Sequence, residues 1–176
     1  MTITAEKLQV KPKIRWMIRR DMPTVLQIEK SSFVYNTWSE EDFLNVLRQR
    51  NCIGMVAELK EDVVGFMVYE LEKSYLEVIN LAVAADLRRN GIATQMTKLL
   101  KEKLSPARRT SIRMKVMEDN LNMQLFLRSQ CFKAINVEKN YYKLGKKTRD
   151  AYCFQYSLYD AMSNFLERDL EDEQSL

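Results

Sequence analysis

The sequence predicts a mixed α/β domain, one sheet of about seven strands with helices on both faces. Three observations carry this. Apolar runs of strand length alternate with segments whose apolar residues recur at helical spacing. Two of the runs, Cys52 to Leu59 and Val63 to Leu71, stand back to back across Lys60-Glu61-Asp62, which is the signature of a hairpin. A third, Val78 to Ala85, passes through a charged turn into a segment opened by Gly91, with Ile92, Met96, Leu99 and Leu100 at helical spacing. The 176 residues suit one domain and are enough to bury a core.

Met1 to Lys13 is polar, carries Pro12 near its end and reads as a flexible leader. Ile14 to Arg19 alternates weakly as the first strand. Asp21 is placed as the N-cap of a helix with Pro23 in its first turn and Val25, Leu26 and Ile28 following, to about Ser32. Ser39-Glu40-Glu41-Asp42 is a capping-box pattern that opens a second helix with Phe43, Leu44, Val46 and Leu47. Between these helices Phe33, Val34, Tyr35 and Trp38 make the connection more apolar than a solvated loop. After the hairpin, Ser74 to Val83 is a strand, the Gly91 helix is expected to end at Pro106, and Thr110 to Val116 returns as a strand. Asp119-Asn120 caps a helix with Leu121, Leu125 and Phe126 as its apolar face and Leu127 beside them. Cys131 to Val137 and Ala151 to Leu158 are the last strands, and Tyr141 to Arg149 between them is a loop by composition. The domain thus spans 14–158. Beyond it, Ala161, Met162, Phe165, Leu166 and Leu170 at i, i+3, i+4 spacing predict an extra amphipathic helix running into an acidic tail, 159–176.

No apolar run approaches the ~18 residues of a membrane span, and the N-terminus lacks a signal-peptide core, so a cytoplasmic protein off the membrane is expected. Cys52, Cys131 and Cys153 are odd in number, widely spaced and accompanied by no histidine. That favours structural thiols over a metal site. The absence of histidine also excludes every catalytic triad or dyad built on imidazole. Charge is uneven: Arg88 to Arg149 holds 16 Lys+Arg against 4 Asp+Glu, and Asp150 to the end 1 against 7. The basic half suits a polyanionic partner, a phosphorylated ligand, nucleic acid or a ribosomal surface among them, with a solvated lysine-rich face as the plainer alternative.

The turn after Val83 is the chemical centre of the sequence. A glycine turn leading from a strand into a helix delivers unpaired N–H groups and the positive end of the helix dipole to one point, an anion site. Arg88 and Arg89 add charge beside it. The spacing Arg88-Arg89-Asn90-Gly91-Ile92-Ala93 matches the Q/R-x-x-G-x-G/A signature of the GNAT acyl-CoA N-acyltransferases, and Asn80-Leu81-Ala82-Val83 precedes it where that superfamily has its cofactor-binding strand. Trp38-Ser39, Asn120 and Asn140-Tyr141-Tyr142 resemble the RimI branch, the protein N-terminal alanine acetyltransferases, over roughly Ile14 to Leu158.

The resemblance implies a single, mainly antiparallel mixed sheet, acetyl-CoA as co-substrate and a peptide or protein N-terminus, a ribosomal protein among the candidates, as acceptor. It implies no direct nucleic-acid binding, and a monomer or homodimer. It places the pyrophosphate on Arg88, Arg89, Asn90, Gly91, Ile92, Ala93 and Thr94, the pantetheine on backbone groups of Leu81 and Val83 and on Asn120, and the acceptor against Trp38, Tyr141 and Tyr142. In GNATs that use a base, a carboxylate or phenol sits a few residues before the Leu-Ala-Val segment, and here that residue is Glu77. Glu77 and Val83 share one side of the strand by period-two alternation, and a glutamate in an apolar strand is expected to be desolvated.

Acyl transfer to an amine needs a neutral amine, a donor for the oxyanion and a proton for the leaving thiolate. The RimI pattern puts a glutamate where this chain has Lys115, the acid tyrosine where it has Leu127, and a glycine where Cys131 precedes Phe132. Tyr141, Tyr142 or water is then left to protonate the thiolate, and Lys115 could repel a cationic acceptor. The leading reading is an N-terminal acetyltransferase with Glu77 as base through water. A lysine or small-molecule acetyltransferase, and an acyl-CoA-binding module that no longer turns over, stand beside it.

Overall fold

The computed structural model describes residues 11–163. Its elements are β1 (Lys13–Trp16), α1 (Met22–Ser32), α2 (Glu40–Leu47), β2 (Cys52–Leu59), β3 (Asp62–Leu71), β4 (Tyr75–Val83), α3 (Ile92–Lys101), β5 (Ser111–Met117), α4 (Leu121–Ser129), β6 (Lys133–Leu144) and β7 (Lys147–Ser157), with 3-10 turns at Arg19–Asp21 and Ala85–Leu87. The strands form a seven-stranded sheet in the order β1-β2-β3-β4-β5-β7-β6. The pairs β1–β2, β2–β3, β5–β7 and β6–β7 are antiparallel, and β4–β5 is parallel. The first ten residues of the expected leader lie outside the described residues, and Lys13 already belongs to β1. Of the expected C-terminal helix, residues 158–163 are helical, while Phe165, Leu166, Leu170 and the acidic tail lie outside the described residues.

The chain divides into two compact units, and β4 contributes to both: Tyr75–Val78 to the second, Ile79–Val83 to the first. In the first, Met22, Val25 and Ile28 of α1, Phe43 of α2, Val56 of β2, Phe66 and Val68 of β3 and Ala82 of β4 form one buried cluster. Full burial of each such side chain is worth about 1.5–3 kcal/mol against exposure. Phe43 stacks edge-on between Trp38 (5.0 Å) and Phe66 (5.5 Å). Ser39 and Asp42 close the expected capping box: Ser39 Oγ accepts the Asp42 N–H at 3.2 Å and Asp42 accepts the Ser39 N–H at 2.8 Å. Lys60 (φ 48) and Glu61 (φ 75) adopt the left-handed pair that a two-residue hairpin turn requires, without a glycine.

Asp21 does occupy the N-cap position of α1, but its side chain does not cap that helix. It accepts the Ile18 N–H at 2.8 Å and takes Arg15 bidentately at 2.7 and 2.9 Å, while Arg15 also holds Glu58 at 2.7 Å. The guanidinium outcompetes neutral amides for the carboxylate because that hydrogen bond is charge-assisted. It also holds the Asp21 carboxyl below its ordinary value.

In the second unit, β5 runs parallel to the start of β4, with Glu77 opposite Arg113, and antiparallel to β7, with Lys115 opposite Cys153. Three expectations are corrected here. Tyr141 to Arg149 is no loop: β6 and β7 continue through it to a turn at Gly145 (φ 63) and Lys146, with irregular register between Ala134 and Asn136 and between Glu138 and Tyr142. Helix α3 finishes at Lys101 rather than Pro106, closed by two short-range bonds, Lys103 N–H to Leu100 O and Leu104 N–H to Lys101 O. In α4 it is Leu127 that is buried, whereas Leu121 and Leu125 face solvent at 61% and 54% exposure.

Candidate active site

The first unit builds the anion turn. After β4, Arg89 (φ 67) and Gly91 (φ 80) both lie in the left-handed region, and a Cβ placed on Gly91 would meet nothing within 4 Å. The glycine is there for its backbone, since its surroundings would admit a side chain. Gln95 N–H bonds back to Gly91 O at 3.0 Å, so the N–H groups of Ile92, Ala93 and Thr94 precede the helical ladder. The open turn, the exposed Arg89 beside it and the helix start fit a coenzyme A pyrophosphate. Ile92 is 1% exposed and only its backbone can serve, as is true of Leu81 and Val83, whose side chains are core.

Two expected ligand residues brace the turn. Arg88 Nε donates to Val83 O at 3.0 Å and its Nη2 to Ser32 Oγ at 2.9 Å, so its guanidinium ties the end of α1 to β4. Asn90 Nδ2 donates to Leu87 O (3.2 Å) and Arg88 O (3.3 Å), closing the turn on itself. Trp38 follows the exposed Val34 and Tyr35 and packs inward with Phe33. Its backbone N–H donates to Glu29 Oε1 at 2.8 Å, and Asn80 Nδ2 donates to Glu29 Oε2 at 3.1 Å. Glu29 and Asn80, both buried, therefore fix the connection between α1 and α2 to β4. The apolar composition of that connection signalled packing but not this polar clamp.

The second unit gathers the candidate chemistry. Glu77 is partly buried, and its Oε1 lies 3.7 Å from Lys115 Nζ. The same ammonium is 3.3 Å from Glu138 Oε1 and 4.7 Å from the Tyr141 ring centroid. Cys153 donates its thiol to that Glu138 oxygen at 3.3 Å. Tyr142 stands edge-on to Tyr141 at 5.0 Å and donates its hydroxyl to Lys115 O at 3.2 Å. The expected desolvation of Glu77 is thus met by an ion pair. Burial alone would lower Lys115, but Tyr141, Glu77 and Glu138 outweigh it and hold the amine above its ordinary value. Burial pushes Tyr142 up to about 12, and burial with the Glu138 contact raises Cys153. Asn120 caps α4, its Oδ1 accepting the Met123 N–H at 3.1 Å, and Leu127 is 2% exposed in the core. Glu138 and Cys153 carried no sequence signal, because the irregular β6–β7 register decides what they meet.

A model of the acetyltransferase (GNAT) family matches residues 14–131, more than half of the chain. No match was found among curated proteins. Among solved structures, the ribosomal-protein-S18-alanine N-acetyltransferase of Escherichia coli is 17% identical with a TM-score of 0.71, covering 84% of this chain and 94% of its own. Ard1 of Thermoplasma volcanium is 22% identical with a TM-score of 0.74, covering 85% and 99%. Arabidopsis thaliana NAA60, solved in complex with acetyl-CoA, is 16% identical with a TM-score of 0.72, covering 85% and 99%. At these identities the structures attest the fold. Together with the family match, the strand, left-handed glycine turn and helix make the chain a member of the GNAT acetyltransferase family, an N-acetyltransferase that uses acetyl-CoA.

Proposed function

We propose that the protein acetylates the N-terminal α-amine of a peptide or protein by direct attack in a ternary complex. The observation that carries this reading is an ammonium, that of Lys115, lying beside the carboxylates of Glu77 and Glu138 and the face of Tyr141. Such a constellation suits a charged amine. The acceptor must lose that charge before it attacks, which an α-amine does more readily than a lysine. An α-amine with a pKa of about 7.7–8.0 is partly neutral at physiological pH, whereas a lysine near 10.4 is not. Glu77, partly solvated and next to a cation, fits the lighter task of taking the proton through water.

Acetyl-CoA supplies the activated acetyl group. Arg89, Gly91, Ala93 and Thr94, with the Ile92 N–H, are assigned to its pyrophosphate, while Arg88 and Asn90 hold their turn. The backbone of Leu81 and Val83 and the side chain of Asn120 are assigned to the pantetheine. Tyr142 is assigned to the leaving thiolate, which takes its proton through this phenol or from water; burial, by raising the phenol to about 12, favours water as the source. Trp38 and Tyr141 are assigned to the acceptor. Two of the similar structures, from Escherichia coli and Brucella melitensis, are ribosomal-protein alanine N-acetyltransferases, and a cytoplasmic, ribosomal acceptor is the first candidate here.

The test measures coenzyme A release with short peptides whose N-termini are free or blocked, before and after Glu77→Gln. Release confined to free N-termini is expected, with kcat lowered about 10²–10⁴-fold by the substitution and acetyl-CoA affinity retained. Equal release with blocked lysine-containing peptides would reject the α-amine; an unaltered kcat would reject Glu77 as base.

A further inference from the structure

We infer that Lys115 is an internal competitor for the acceptor's ammonium: it rests in a cage formed by Glu77, Glu138 and Tyr141 that the incoming amine must enter, and so sets acceptor affinity. This rests on the reading of Glu77 as the base. Three neighbours from two strands converge on one Nζ: Glu77 of β4 at 3.7 Å, and from β6 both Glu138 at 3.3 Å and the Tyr141 ring at 4.7 Å. An ammonium has three N–H donors, and an aromatic face within about 6 Å of a cation is attractive. The partners that hold lysine's ammonium are therefore equally fitted to a peptide's.

The resident cation is able to leave. Its side chain is 29% exposed and ends in a compact charge on a flexible four-carbon stem. The cage does not depend on it for shape, since Cys153 keeps a hydrogen bond to Glu138 at 3.3 Å and Tyr142 packs against Tyr141 while bonding only the Lys115 backbone oxygen. With Lys115 in place the two carboxylates and one ammonium sum to a single negative charge; with it withdrawn the acceptor meets two. If the lysine fills the cage in nine molecules of ten, the apparent acceptor dissociation constant is about tenfold weaker than the intrinsic one.

The experiment compares wild type with Lys115→Met and Lys115→Arg, using an alanine-initiated octapeptide as acceptor, with acetyl-CoA binding and Tm followed in parallel. Methionine matches the stem without the charge, so acceptor KM is expected to fall about three- to tenfold, with kcat not reduced. Arginine retains a cation and should leave acceptor KM high, while Glu138→Gln should raise it, as loss of half the cage requires. A methionine variant with unchanged acceptor KM, or with kcat tenfold lower at normal Tm and acetyl-CoA affinity, overturns the proposal, the latter by giving the ammonium a part in the transfer itself. Lys115→Gln serves if the methionine variant does not fold. Should Glu77→Gln prove inactive while Lys115→Met leaves KM untouched, only the competitor is lost; should Glu77→Gln be fully active, the underlying function reading is lost.

Discussion

Glu29 is 1% exposed, and its two oxygens receive the Trp38 N–H and the Asn80 amide. Burial raises its carboxyl above the ordinary value near 4.5, and the two hydrogen bonds offset only part of that. The unfolded chain ionises first as pH rises, so the contribution of this group to stability is complete below about pH 4.5 and is lost as pH climbs through the higher folded value. Glu29→Gln keeps the shape and an oxygen for Trp38 but cannot ionise. Relative to wild type, its Tm is expected to gain by a few degrees on going from pH 4 to pH 7, read by circular dichroism. A parallel shift of both proteins would rule out a desolvated charge here.

At the scale of elements, the end of α4 explains an oddity of the sequence. Phe132 N–H bonds to Leu127 O and Cys131 N–H to Arg128 O, both at 3.0 Å, which is the Schellman closure, and Cys131 takes the left-handed position at φ 62. Glycine suits that position, and the resemblance had placed one there. Cys131→Gly should stabilise the protein by about 1 kcal/mol, seen as a higher denaturation midpoint, because relief of left-handed strain exceeds the added freedom of the unfolded chain. Signals settled within a few residues are legible in the sequence, and those made by distant pairing are not. Ser39-Glu-Glu-Asp42 and the hairpin at Lys60-Glu61 were readable because a cap or a tight turn is settled within a few residues. Strand β6 was cut short because an edge strand exposed on nearly all its residues shows no period-two pattern, and Lys143, Gly145, Lys146 and Lys147 look like a solvated loop. Spacing gives the period of a helix and not its rotation, so it does not reveal that Leu121 and Leu125 of α4 face solvent. In the site, Gly91 announced itself by local conformation. Glu138 did not, because its place beside Lys115 is made by pairing between distant strands.

Taken whole, the chain has no histidine, and three groups of its site cluster are displaced upward. Lys115 and Cys153 are raised and Tyr142 stands at about 12. Between about pH 6.5 and 8.5 the rise of kcat/KM should therefore follow the acceptor's own α-amine, and its midpoint should move with the amine when acceptors of different basicity are compared. A midpoint fixed across acceptors would point to a titrating group of the protein. The contact of Trp38 with Phe43 has a practical consequence as well. The chain has two tryptophans, and Trp16 is 62% exposed, away from the buried cluster that Trp38 joins. Replacing Trp16 with Phe would leave one indole, seated where Glu29 fixes the connection between α1 and α2, so that its emission would report the state of that connection without any attached dye.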